Sequence, residues 1–179
     1  MQKGVPDEGA TPVRVPVTAS AAARLRAGEH IVLSGPIWRL GGAGWERIRA
    51  GSRALQPLPF DVAGAVLWLD PAAERLPAAP NGGDAADAAV IHLIASGLAA
   101  IISERPCTPS IRYALRKYGA LAIRSQRRTL RSSGAIVAFS DLGLEALRAI
   151  RVRRLPAVVT VDAHGGEYRV DRSPNRAAG

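Results

Sequence analysis

Residues 99–123 read AAIISERPCTPSIRYALRKYGALAI, and this stretch decides the fold. Ala99 to Ser103 is a short apolar run of strand length carrying β-branched Ile101 and Ile102. Thr108 or Pro109 starts a helix: threonine caps the first free backbone N–H groups, and proline lacks one that would go unpaired. Ile111, Ala114, Leu115 and Tyr118 follow at helical spacing, and Gly119 closes the helix. Ala120 to Ile123 is a second short apolar run. Strand, helix and strand in that order predict a crossover between parallel strands.

The same alternation extends outward. Upstream, Ala85 to Ala95 reads as an Ala-rich helix capped near Gly97, and Val62 to Leu69 as a buried strand. A Pro/Ala/Gly-rich loop over 71–84, centred on Asn81-Gly82-Gly83, joins them, and Pro57 to Asp61 is a loop. Across 38–50 the signals conflict: Trp38, Trp45 and Ile48 have roughly helical spacing, but Gly41-Gly42-Ala43-Gly44 weakens a helix before Trp45. His30 to Leu33 reads as a strand ending in a tight turn at Ser34-Gly35-Pro36. Thr18 caps a short helix over Ala19 to Arg26, stopped at Ala27-Gly28. Pro6, Pro12 and Pro16 mark 1–16 as a flexible, extended arm.

Downstream, Ser125 to Ser132 reads as a basic helical turn, Ala135 to Phe139 as a strand, and Leu142 to Ile150 as a helix after Ser140-Asp141. Ala157 to Asp162 reads as the last core strand. A turn at His164-Gly165-Gly166 and a terminal strand Glu167 to Val170 follow, and 171–179 is a frayed tail. The expectation is a single α/β domain over 17–170, with at least part of its sheet parallel.

Composition narrows the function. The chain has 179 residues, 47% hydrophobic and only 4% aromatic, so Ala, Val, Leu and Ile must fill its core. Its one cysteine, Cys107, can form no internal disulfide and cannot alone hold an iron–sulfur cluster or structural zinc. His30, His92 and His164 have no metal-ligand spacing. The longest apolar stretch, 85–102, is interrupted by Asp87, His92 and Ser96, short of the roughly 18–20 apolar residues of a membrane span. Residues 1–16 lack the apolar core of a signal peptide. A cytoplasmic protein is the expectation.

The net charge is +9, and all cations but Lys3 and Lys117 are arginine. Arg105, Arg112, Arg116, Lys117, Arg124, Arg127, Arg128 and Arg131 follow one another without an acid, and Arg148, Arg151, Arg153 and Arg154 form a second cluster. Such runs are most simply solvated surface. They also suit an acidic partner, an anionic substrate or nucleic acid, the last without an accompanying nucleic-acid motif or aromatic stacking set.

Three stretches taken in order carry a resemblance: Gly28 to Ile37 (GEHIVLSGPI), Leu58 to Val66 (LPFDVAGAV), and Ala135 to Ala146 (AIVAFSDLGLEA) with Leu155 to Asp162 (LPAVVTVD). Together they resemble the C-terminal domain of class I fumarate hydratase, which is also the β subunit of L(+)-tartrate dehydratase, from about Val17 to Tyr168. The resemblance implies a swivelling β/β/α fold. It implies an α-type partner whose three cysteines hold a [4Fe-4S] cluster, with no cofactor on this chain. It implies reversible addition of water to a small unsaturated carboxylic acid. Such chemistry needs a base for the proton α to a carboxylate and cations for the developing dianion.

The sequence departs from the family where that chemistry resides. The positions of its Arg-Asp-x-x-His run fall on Gly41, Gly42 and Trp45, with Arg47 surviving only in a flanking place. In its Gly-Pro-Thr-Thr-x-x-Arg loop Pro80 matches, but the threonines fall on Asn81 and Gly82 and the arginine on Ala85. Its lysine falls on Glu104, or on Arg105 with a one-residue slip. No catalytic role carries over. By position, the substrate-binding candidates are Ser34, Gly35, Asn81, Gly82, Gly83 and Arg105. An ordinary turn explains Asn81 to Gly83 more simply, and helix-dipole pairing explains Asp84 and Asp87. A helix start after Arg105-Pro106 can lower the Cys107 thiol pKa, although no histidine lies nearby in sequence.

Three readings follow: a divergent β-type hydro-lyase subunit working with a cluster-bearing partner; a catalytically inactive relative kept for assembly or ligand binding, with the α-type chain or as a homo-oligomer; and a basic nucleic-acid module.

Overall fold

A computed structural model describes residues 9–53, 56–69, 84–127 and 134–169. The decisive stretch folds as expected. β4 (Ala100–Ile102) and β5 (Leu121–Ser125) pair in parallel, and α4 (Pro109–Tyr118) connects them. The Thr108 hydroxyl oxygen accepts from the Ile111 N–H (3.3 Å) and donates to Asp87, while Gly119 closes α4 in the left-handed region. Asp87 therefore ties the helix over Asp84–Ala95 to the start of α4. Replacing Thr108 with alanine removes both bonds and should cost about 1–2 kcal/mol in urea denaturation. Thr108→Ser should recover most of that loss.

The pattern repeats upstream. β2 (His30–Leu40), α2 (Gly42–Arg53), β3 (Val66–Leu69) and α3 (Asp84–Ala95) precede β4, and β2, β3 and β4 are parallel. β1 (Thr11–Arg14) adds to β2 in parallel, so part of the expected irregular arm is a strand. α1 (Ala19–Arg24) is capped by Thr18 as expected. The antiparallel members are β6 (Ala135–Ala138) and β7 (Leu147–Val161), separated by a 3₁₀ stretch over Ser140–Glu145.

Two expectations are overturned by the long β2–β7 pairing. Ser34-Gly35-Pro36 is not a turn; β2 passes through it with a bulge and continues to Leu40. Leu142 to Ile150 is not an α-helix; it leaves the 3₁₀ stretch at Glu145 and from Leu147 runs as the start of β7. Leu, Glu and Ala in that segment have good helix propensity. β2 and β6, hydrogen-bonded to its two edges, outweigh that preference. Three smaller corrections follow. α2 begins at Gly42 despite its glycines. Ser125 ends β5, with 128–133 outside the described residues. Glu167 makes only an isolated bridge to Val161 in place of a terminal strand.

The pairings close on themselves: β2–β3–β4–β5–β7 and back to β2. Alternate residues then have two different interiors. Val66, Trp68, Ala100, Ile102, Leu121 and Ile123 join Ile31, Leu33, Ile37, Ile150, Val152 and Val159 inside the ring of strands. Leu67, Ile101 and Ala122 point outward and are covered by Trp45 and Ile48 of α2, Leu93 and Ile94 of α3, and Ile111 and Leu115 of α4. Both faces of β3, β4 and β5 are thus buried, which is why these strands read as unbroken apolar runs. The result is an α/β domain with one core between strands and a second between strands and helices.

Candidate functional site

Because β2 to β5 are parallel, their carboxyl ends lie on one side of the ring, where α/β folds place ligands. Antiparallel β7 begins at that same end, with the 3₁₀ stretch before it.

The first feature there is the start of α2. Gly41 leaves room for the Glu145 carboxylate, with which a Cβ there would collide, while a Cβ on Gly42 would make only ordinary contact with it. Glu145 Oε2 accepts from the Ala43 N–H (3.3 Å), putting negative charge at the positive end of the helix. Trp45 is buried in the outer core. The three positions where the family resemblance implies arginine, aspartate and histidine therefore hold a docked carboxylate and a packed indole.

A second contact pins the same two elements. Arg47 donates to both oxygens of Asp141 (2.8 and 2.7 Å) and stacks over the Phe139 ring, 5.3 Å from its centroid. This bond holds the Asp141 carboxyl below its ordinary range and raises the guanidinium's own pKa. Phe139 meets Phe60 edge-on at 6.0 Å, and Phe60 meets Trp38 edge-on at 5.5 Å. Asp141, Glu145 and Phe139 belong to a stretch whose sequence carried the resemblance, and all three anchor the 3₁₀ stretch to its surroundings.

The third feature is a transverse row of residues set by strand register. Arg148 on β7 is opposite Arg39 on β2, Arg39 opposite Trp68 on β3, Trp68 opposite Ile102 on β4, and Ile102 opposite Ile123 on β5. The preceding β2–β7 pair on the same face, Ile37 with Ile150, is fully inside the ring. Arg39 and Arg148 are half-buried. Arg148 donates to the carbonyls of Gly134 (3.1 Å) and Gly143 (2.8 Å), while its Nε–H is buried without a partner.

The candidates named from sequence are scattered. Ser34 and Gly35 lie at the β2 bulge rather than at the carboxyl end. The Ser34 carbonyl accepts from the Val15 N–H (2.9 Å), and its hydroxyl oxygen from the Arg154 N–H (3.1 Å). Arg105 is exposed at the carboxyl end, in a loop closed by two bonds between its backbone and the Ser103 hydroxyl (3.0 and 3.3 Å). Asn81, Gly82 and Gly83 lie outside the described residues. Asp87 holds the α4 cap, and the Cys107 carbonyl accepts from Arg112 (3.5 Å). Sequence reasoning missed Arg39. The available signal was alternation: Ile37 and Arg39 share a face once β2 is read through Pro36.

No helix among the described residues is long and apolar enough to cross a membrane. Compared with known protein families, the chain matches the one described as "Fumarase C-terminus" over residues 11–170. No curated protein matches it.

Proposed function

The chain belongs to the fumarase C-terminus family, and from that membership we propose that it is a divergent β-type hydro-lyase subunit. It works with an α-type chain that carries the [4Fe-4S] cluster, adding water to or removing it from a small hydroxy-carboxylic acid. The observation carrying this reading is the family match across both cores and the strands that frame the carboxyl end. Cluster ligation does not fit the residues of this chain. Cys107 is its only cysteine, and no three His, Cys, Asp or Glu among the described residues are grouped to hold a metal.

Anaerobic affinity purification of the tagged full-length chain from its native host tests the reading. The expected result is a cysteine-bearing partner with iron–sulfur absorbance and hydration activity on an unsaturated dicarboxylate. Recovery of the chain alone, or only with cluster-free proteins, sinks it. Glu145 on the α2 terminus favours a second reading, an inactive assembly subunit, since an internal carboxylate already fills that anion-binding place. A cluster-bearing complex that assembles without turnover would select that second reading.

A further inference from the structure

We propose that the outer face of β1, β2, β7 and β5 binds the phosphate backbone of duplex DNA. The helices leave most of this face open: from β2 and β7 the outer core takes only Trp38, Leu40, Leu147 and Val161. Inward residues fix which neighbours point outward. Val13, Ile31, Ile123, Ile150 and Val152 are in the inner core, so Arg14, His30, Arg124, Arg151 and Arg153 beside them are on the outer face. Arg14, His30, Arg151 and Arg153 are exposed, and Arg124 is half-buried. Register brings them together: Arg14 is opposite Ser34 of β2, Arg151 opposite Pro36, and Val158 lies between His30 and Arg124. At ~3.3 Å per residue and ~4.8 Å between strands, the four arginines share a patch about 20 Å by 14 Å. These four strands contain no aspartate or glutamate. Glu29, beside His30, is held by the Thr11 hydroxyl and the Arg26 N–H, and the ion pairs of Arg47, Arg49 and Arg112 are on other elements.

Positive charge without exposed apolar surface selects the partner. Exposed large apolar residues such as Ile136, Leu144 and Tyr113 are on β6, the 3₁₀ stretch and α4 instead. A protein partner would need an apolar centre to desolvate, and a membrane surface would need apolar side chains to insert. Phosphate contact needs only cations within reach, and guanidinium forks match phosphate oxygens in geometry as well as charge. The patch has no aromatic side chain on which unpaired bases could stack, which favours a duplex over a single strand. It has no carboxylate to accept from a 2′-hydroxyl, the group by which proteins tell RNA from DNA. Contacts to phosphate alone carry no sequence information, so binding is independent of sequence. The patch is on the side of the ring and not at its carboxyl end, and the inference does not depend on the hydro-lyase reading.

Fluorescence anisotropy of the full chain with a labelled DNA duplex of about 20 base pairs, at salt from about 50 to 200 mM, provides the test. Two duplexes of unrelated sequence should bind equally well. The slope of log K against log salt should be about −3.6, from four arginines at about 0.9 each, which is about a hundredfold loss of affinity across that range. Arg151→Gln combined with Arg153→Gln should bring the slope to about −1.8. Arg116→Gln combined with Lys117→Gln removes the same charge from exposed positions on α4 and should leave the slope unchanged. No binding at about 50 mM salt, a slope unmoved by the β7 variant, or an equal fall in the α4 variant overturns the proposal. A strong preference for one sequence overturns it as well. So does tighter binding to single-stranded DNA, to an RNA duplex of the same sequence, to poly-L-glutamate or to phosphatidylserine vesicles, each of which would assign the face to a different partner.

Discussion

Gly35→Ala should lower the stability of the fold by about 3–5 kcal/mol, a large share of the roughly 5–15 kcal/mol available to a typical domain. Gly35 has φ +132°, in the region that disfavours residues bearing a Cβ. A Cβ there would lie 2.5 Å from the Val15 carbonyl oxygen, a backbone atom that cannot swing away. That carbonyl belongs to the segment running on from β1, which is tied to β2 through the Val15 N–H and the Ser34 carbonyl. The same neighbourhood holds Arg154, at φ +50°, whose N–H donates to the Ser34 hydroxyl. Ser34→Ala removes only that one bond and should cost about 1 kcal/mol. Urea unfolding of the two variants separates a structural role from ligand contact. A Gly35→Ala protein that keeps wild-type stability would overturn the structural account.

The contrast between Gly35 and Arg39 shows where local sequence stops being informative. Ser-Gly-Pro is a strong local turn signal, and nothing within ten residues of it shows that β7, more than a hundred positions later, lies alongside. Once β7 is paired, the chain must pass straight through, and the turn residues become a bulge. The same long-range pairing reverses the expectation for 147–150. The signal was partial: Ile150 and Val152 alternate with Arg151 and Arg153, a period of two that a helix does not produce. The Asp-Leu-Gly-Leu-Glu-Ala run just before it has helix-forming residues and drew the helix too far.

Parallel crossovers were legible because β3, β4 and β5 are buried on both faces and α4 is capped at both ends. α4 is the clearest case, with Thr108, Pro109 and Gly119 all in their expected roles. The candidate site was less legible. Glycines at 41 and 42 looked like the loss of a charged pair. In the structure Gly41 makes room for the Glu145 carboxylate, a contact across more than a hundred residues. Likewise, the arginine clusters read as solvated surface, and the exposed Arg151 and Arg153 fit that reading. Arg148 in the same run points to the other face. Only the register of β7 against β2 distinguishes them.

Asp162→Asn should cost about 2–4 kcal/mol at neutral pH and progressively less in acid. Asp162 is the one buried charged side chain among the described residues. Its Oδ2 accepts from the Ala27 N–H (3.0 Å), and its Oδ1 from the N–H groups of His164 (2.9 Å) and Gly166 (2.8 Å). Burial alone would raise its pKa. The N–H groups of Ala27, Gly166 and His164, with the nearby His164 side chain, more than offset that and hold it below the ordinary 3.8. The bonds join the turn before β2 to the turn after β7. They are reinforced by Gly28 N–H to Val159 O (2.8 Å) and by a bond between His164 Nε2 and Ala23 O (2.8 Å). An asparagine can keep its oxygen toward His164 and Gly166, but its amide then faces the Ala27 N–H, donor against donor. The sign follows from the direction of the shift. A folded pKa below the unfolded one contributes stability above about pH 4, and that contribution disappears as pH falls through the folded value. The gap between wild type and Asp162→Asn in urea midpoints should therefore be full at pH 7 and should narrow below pH 4. A gap that stays constant, or widens in acid, would mean that packing, not the ionised carboxylate, holds the two turns together.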